Sequence, residues 1–102
     1  MPPYKMQRIS ATELRKKFND LDYAGRSDRG ELRCVVEKQR HPSPPRAREP
    51  TCTRSQMLAY FDRQGKRLAL AHRYIRPDGK LGGSGKPDPK SLLIDNTLYV
   101  PE

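Results

Sequence analysis

Apolar residues fall in short separated blocks, and their spacing changes along the chain. Ala11, Leu14, Phe18 and Leu21 recur every three or four positions, which makes one apolar stripe on a helix. Ser10-Ala11-Thr12-Glu13 stands just before it as a capping box, in which the Ser10 hydroxyl accepts from the Glu13 amide and Glu13 reaches back. The spacing predicts a helix over 11–21, with its Leu and Phe stripe in the core and Arg15, Lys16 and Lys17 on the remaining faces. From Glu31 to Lys38 the period becomes two: Leu32, Cys34 and Val36 alternate against Arg33, Val35 and Glu37, which reads as a strand.

The second half reads as an antiparallel meander. Met57 to Asp62 and Arg67 to Arg76 are strands joined by Asp62-Arg63-Gln64-Gly65, with Gly65 suited to a left-handed turn position. A short helix capped by Thr53-x-x-Gln56 and stopped by Gly65 is the competing reading of the first of them. Arg76-Pro77-Asp78-Gly79 has the chemistry of a second turn, and a return segment starts at Lys80-Leu81 before breaking at Gly82-Gly83-Ser84-Gly85. Leu92-Leu93-Ile94 and Leu98-Tyr99-Val100 flank Asp95-Asn96, a two-residue hairpin turn. Residues 1–9 read as a flexible arm and residues 24–30 as a loop. Residues 39–54, dense in proline and basic residues, read as a mobile loop. The expected fold is a single α+β domain over residues 10–102. One N-terminal amphipathic helix packs on a largely antiparallel β-meander of four to five strands.

Composition makes this body small and lean. The chain has 102 residues, ten of them proline, with 33% hydrophobic residues and no tryptophan. A core of that size leaves an isolated domain marginal, so pairing of two copies through an edge strand is expected to help. No run approaches the length of a membrane span, and the N-terminus lacks the apolar stretch of a signal peptide, so the reading is a cytoplasmic protein without a membrane partner. Cys34 and Cys52 cannot define a disulfide framework: Cys34 reads as a small core residue and Cys52 as part of a basic loop.

Charge changes the picture most. The formal net charge is +9, and residues 63–90 hold eight basic residues against Asp78 and Asp88, a local +6. Residues 38–54 hold five against Glu49, a local +4. Concentrated positive potential favours polyanions. The candidate phosphate-binding residues are Arg67, Arg73, Arg76, Lys80, Lys86 and Lys90 of the basic hairpin, with Arg46 and Arg48 of the Pro-rich loop.

Catalytic and cofactor chemistry finds little support, and no cofactor is expected. Gly82-Gly83-Ser84-Gly85-Lys86 fails as a P-loop because position 80 is Lys and the residue after Lys86 is Pro87. Its glycine amides beside Lys80, Lys86 and Lys90 suit close approach to phosphates instead. Cys34, His41, Cys52 and His72 lack the spacing of zinc ligands. His72 continues a face with Leu68, Leu70 and Tyr74 and reads as a half-buried histidine. General acid–base work with Arg73 or Arg76 lacks an acidic partner, since Asp62 and Asp78 sit at turns. Tyr60, Tyr74 and Tyr99 are either the large residues of the core or, on an exposed sheet face beside Arg73 and Arg76, platforms for bases.

Tyr74-Ile75-Arg76-Pro77-Asp78-Gly79 followed by Lys86-Pro87-Asp88-Pro89-Lys90 resembles the C-terminal end of colicin-type ribosomal RNases, which also close in an antiparallel sheet with basic turns. The resemblance covers a small part of the chain, mostly turn residues. The family's acid–histidine–acid constellation has no counterpart, because Leu68, Leu70 and Ala71 occupy that neighbourhood, so no catalytic assignment follows. Three functions are expected in this order: a non-enzymatic RNA- or DNA-binding or ribonucleoprotein-associated protein, an adaptor or inhibitor of an acidic protein surface, and a small toxin-type RNase using His72.

Overall fold

The computed structural model describes residues 4–40, 50, 52–82 and 86–102. Two helices, α1 (Ala11–Asp20) and α2 (Tyr23–Asp28), pack on one face of a six-stranded sheet. Its strands are β1 (Lys5–Ile9), β2 (Arg33–Arg40), β3 (Arg54–Phe61), β4 (Arg67–Ile75), β5 (Asp88–Ile94) and β6 (Thr97–Pro101). They run in the order β1-β6-β5-β4-β3-β2, with β1 and β6 parallel and every other pair antiparallel. This is the expected α+β body, with more strands than the four or five expected.

Local chemistry explains the elements that were anticipated. The Ser10 hydroxyl accepts from the Glu13 amide at 3.1 Å and starts α1, and the Leu21 amide closes it on the Lys17 carbonyl at 3.1 Å. Leu14 and Phe18 are buried on its apolar stripe. Gly65 and Gly79 take φ of +84° and +85° in the two turns, and the Gly79 amide donates to the Arg76 carbonyl at 2.9 Å. Asp95 and Asn96 carry φ of 47° and 66°, the paired left-handed conformations of a two-residue hairpin turn. Met57 and its neighbours are strand, which settles the choice against a helix there. From Ser55 to Phe61 the strand is held between β2 and β4, and ladders on both sides outweigh one capping signal.

Two segments differ from expectation. Within the segment read as an arm, Lys5–Ile9 is an edge strand. It pairs in parallel with β6 from Lys5↔Thr97 to Ile9↔Pro101, and Ile9 is buried. The sequence Lys-Met-Gln-Arg-Ile shows no alternation, so only the partner strand makes it a strand. Within the stretch read as a loop, Tyr23–Asp28 is a short helix. Asp22 turns the chain with φ 51°, and Tyr23 then packs against Phe18 and Tyr60 with ring centroids 5.6 and 6.0 Å away. Burial of one tyrosine outweighs two glycines and a Ser-Asp pair. Of the Pro-rich stretch, residues 41–49 and 51 lie outside the described residues, while β2 reaches Arg40 and β3 begins at Arg54.

The core is the helix-covered face. Leu14, Phe18 and Tyr23 meet Leu58, Tyr60, Ala69, Ala71 and Leu92, with Cys34 packed at the margin. Cys34 is only half-buried, and burial still pushes its thiol pKa up. No helix among the described residues is long and apolar enough to cross a membrane.

Candidate functional site

The strongest concentration of chemistry lies where the β4–β5 ladder ends. The ladder's last pair is His72↔Asp88, after which the strands part and the Gly82 amide instead donates to the Tyr74 carbonyl at 2.9 Å. A cleft of about 350 Å³ opens there, lined by His72, Arg73 and Tyr74 of β4, Lys86, Asp88 and Lys90 on the approach to and in β5, Gly82, and Ala11 and Arg15 of α1. Consecutive β4 residues point to opposite faces of the sheet. Because the neighbouring strand stops here, both faces reach the cleft.

Three of the four basic side chains, Lys90, Arg15 and Arg73, are placed by identifiable contacts. The register steps from Leu70↔Ser91 to Ala71↔Pro89, which leaves Lys90 as the extra residue of a bulge and turns it toward the cleft. Pro89, with no amide to donate, is tolerated at that irregularity. Lys90 Nζ lies 3.0 Å from the Asp88 carboxylate, and Arg15 Nε lies 3.9 Å from it. Arg73 Nε donates to the Gln56 side-chain carbonyl at 2.8 Å, and Gln56 Nε2 donates to Gln39 Oε1 at 2.7 Å. Gln56 is buried, so this relay holds the guanidinium from behind.

His72 sits at the centre. Its Nε2 shares a 2.6 Å hydrogen bond with the Ser55 hydroxyl, and its ring meets the Tyr74 ring edge to face, centroids 4.7 Å apart at 82°. Burial lowers the imidazole pKa, the Lys90 charge lowers it further, and Asp88 opposes both. The neutral ring is therefore the favoured form at neutral pH. Arg15, Arg73, Lys86 and Lys90 against Asp88 leave the lining at +3 with His72 neutral. The Ser55 hydroxyl, part-buried on the neighbouring strand, steadies the ring through this bond.

The sequence-derived site residues separate into groups. Arg73, Lys86 and Lys90 come together in the cleft. Arg76 and Lys80 lie just beyond it, flanking the Pro77–Gly79 turn, where the Arg76 amide donates to the Lys80 carbonyl at 2.8 Å. Arg67 stands at the far end of β4, roughly 20 Å from Arg73 by strand rise, with its guanidinium 3.7 Å from Glu37. Arg46 and Arg48, like His41, lie outside the described residues, as do Gly83, Ser84 and Gly85 of the glycine run.

The alternation expected along β4 is present, and His72 is half-buried with one ring nitrogen bonded. The core side is Ala69, Ala71 and the Gln56-bonded Arg73, whereas Leu70, His72 and Tyr74 occupy the face that neither helix covers. The large Phe18 and Tyr60 rings on the covered side sit against the small Ala69 and Ala71. Of the three tyrosines, Tyr60 is in the core and Tyr99 packs against it beneath Lys17, whose Nζ is 4.8 Å from the ring centre. Tyr74 alone joins the cleft.

Arg15 and Asp88 are site residues that sequence reasoning passed over. Arg15 looked like an ordinary solvated face of the helix, and Asp88 like a turn residue. The pairing of β4 with β5 is what sets Asp88 opposite His72. Among the described residues, no group of three or more His, Cys, Asp or Glu gathers as for a metal ion. No protein-family model matches this chain, no curated protein matches it, and no solved structure matches it.

Proposed function

We propose that this protein binds nucleic acid, RNA or DNA, by its phosphates, with the basic hairpin of β4 and β5 as the grip. The observation that carries the reading is the convergence of Arg15, Arg73, Lys86 and Lys90, drawn from three stretches of the chain, on one cleft. Positive potential focused between low-dielectric walls attracts polyanions more strongly than the same charges spread over a surface. Arg76 and Lys80 extend the basic track past the cleft along the backbone of the ligand. The role is binding and not catalysis. His72 Nε2 is engaged by Ser55, and the carboxylate nearest it in register, Asp88, is held by Lys90 and Arg15. Such a protein works where nucleic acid is accessible, in the cytoplasm.

Binding measured across a salt series tests this. Each neutralised phosphate steepens the log–log dependence by about 0.9 on duplex DNA and about 0.7 on single strands. Replacing Arg73, Lys86 and Lys90 together by Gln is expected to flatten the slope by about 2 or more, while Arg67→Gln leaves it unchanged. A slope that the triple variant does not move would refute the cleft assignment. No binding by the native protein at low salt would move the weight to an acidic protein partner.

A further inference from the structure

The cleft joins its cations to an aromatic pair, and phosphate binding alone makes no use of that pair. We infer that the site takes single-stranded nucleic acid, with an unstacked base lodged against Tyr74 and His72 while Arg73, Lys86 and Lys90 hold the adjoining phosphates. The inference rests on the nucleic-acid reading above and narrows it to one class of ligand.

Three observations carry it. First, Tyr74 and His72 line the same cleft as Arg73, Lys86 and Lys90, and the charges of Lys90 and Asp88 act on the His72 ring. Second, their contact is edge to face at 82°, so the two rings are not stacked on one another, and both residues stay partly exposed. Third, the rings lie on the sheet face that neither helix covers, and Ser55 fixes the imidazole from the neighbouring strand. A ring already held in place loses little freedom when a base stacks on it.

The choice of strand state follows from geometry. Duplex bases are stacked inward, so a duplex presents only phosphates and groove edges to a cleft of about 350 Å³. A single strand places phosphates on the cations and a base on the rings at once. Stacking tolerates every base because each has a π-face, so little sequence preference is expected.

The test uses the full chain and oligonucleotides of matched length, as single-stranded RNA, single-stranded DNA and duplex DNA. Single strands are expected to bind at least about fivefold tighter than duplex at equal salt, and Tyr74→Ala to weaken single-strand binding by at least about fivefold more than it weakens duplex binding. Tyr74→Phe, which keeps the ring, is expected to bind as the native protein does. The chain has no tryptophan, so Tyr74→Trp carries a single reporter whose fluorescence is expected to quench on binding a single strand and not on binding duplex. That variant keeps a ring at the site and gives a reading even if Tyr74→Ala fails to fold. Equal binding of single and double strands with an unquenched reporter would overturn the inference and leave the phosphate grip standing. Failure of every oligonucleotide to bind would overturn both. The two single-stranded arms distinguish RNA from DNA as the source of the ligand.

Discussion

The two faces of the sheet are built to different ends. On the covered face, Leu58, Tyr60, Ala69, Ala71 and Leu92 are buried beneath Leu14, Phe18 and Tyr23. On the other, Met57, Leu70, His72 and Tyr74 are half-buried, and Ser55 holds the His72 ring. The covered face satisfies one demand, exclusion of water, and it fills the space with alternating small and large residues. The uncovered face keeps groups that have polar edges and flat surfaces, and these pass directly into the basic cleft. A chain with so few aromatic residues commits Phe18, Tyr23 and Tyr60 to the first face and Tyr74 to the second. Stability and binding thus draw on different sides of the same strands.

That contrast is open to direct attack. Phe18→Ala, at the centre of the covered face, is expected to cost about 3–5 kcal/mol in urea unfolding, most of the stability a domain of this size has. Leu70→Ala, at the centre of the other face, is expected to cost only about 1 kcal/mol, because the side chain is partly solvated already. Comparable losses for the two would mean that something covers the second face in solution.

Asp88→Asn removes the single carboxylate lining the cleft among the described residues and raises its charge from +3 to +4. Oligonucleotide affinity at low salt is expected to rise about two- to fivefold, the scale of one exposed ion pair. A fall in affinity would show that holding Arg15 and Lys90 in place matters more than the charge.

The smallest effect is in pH. The folded state lowers the pKa of His72 from its ordinary value of 6.5, so the unfolded chain takes up that proton first on acidification. The stability tied to the neutral ring is complete above 6.5 and declines as the pH falls below it. Between pH 7.5 and 5.5 the native protein is expected to lose slightly more melting temperature than His72→Gln does. Parallel profiles for the two proteins would show that the ring's surroundings are equally kind to both protonation states.

The parts of the fold legible in the amino-acid sequence are those set by neighbours within a few residues. Ser10 and Glu13 start α1, the spacing of Leu14 and Phe18 gives it a buried side, and Gly65, Gly79 and Asp95-Asn96 bend the chain where a positive φ is required. The basic character of residues 63–90 was legible as well, since charge is read directly from composition. Tertiary structure alone decided the rest. Lys5–Ile9 becomes a strand because β6 offers it a ladder about 90 residues away in sequence, and a pairing at that separation leaves no periodic trace in five residues. Tyr23 draws its segment into a helix because Phe18 and Tyr60 wait beside it. The bulge at Lys90 and the register His72↔Asp88 bring one arginine of α1 and one carboxylate of β5 to the histidine, and they leave Arg67 with Glu37 at the other end of the same strand. Charge is a property of residues, but convergence is a property of register and crossing elements, and those depend on contacts that no short stretch of sequence contains.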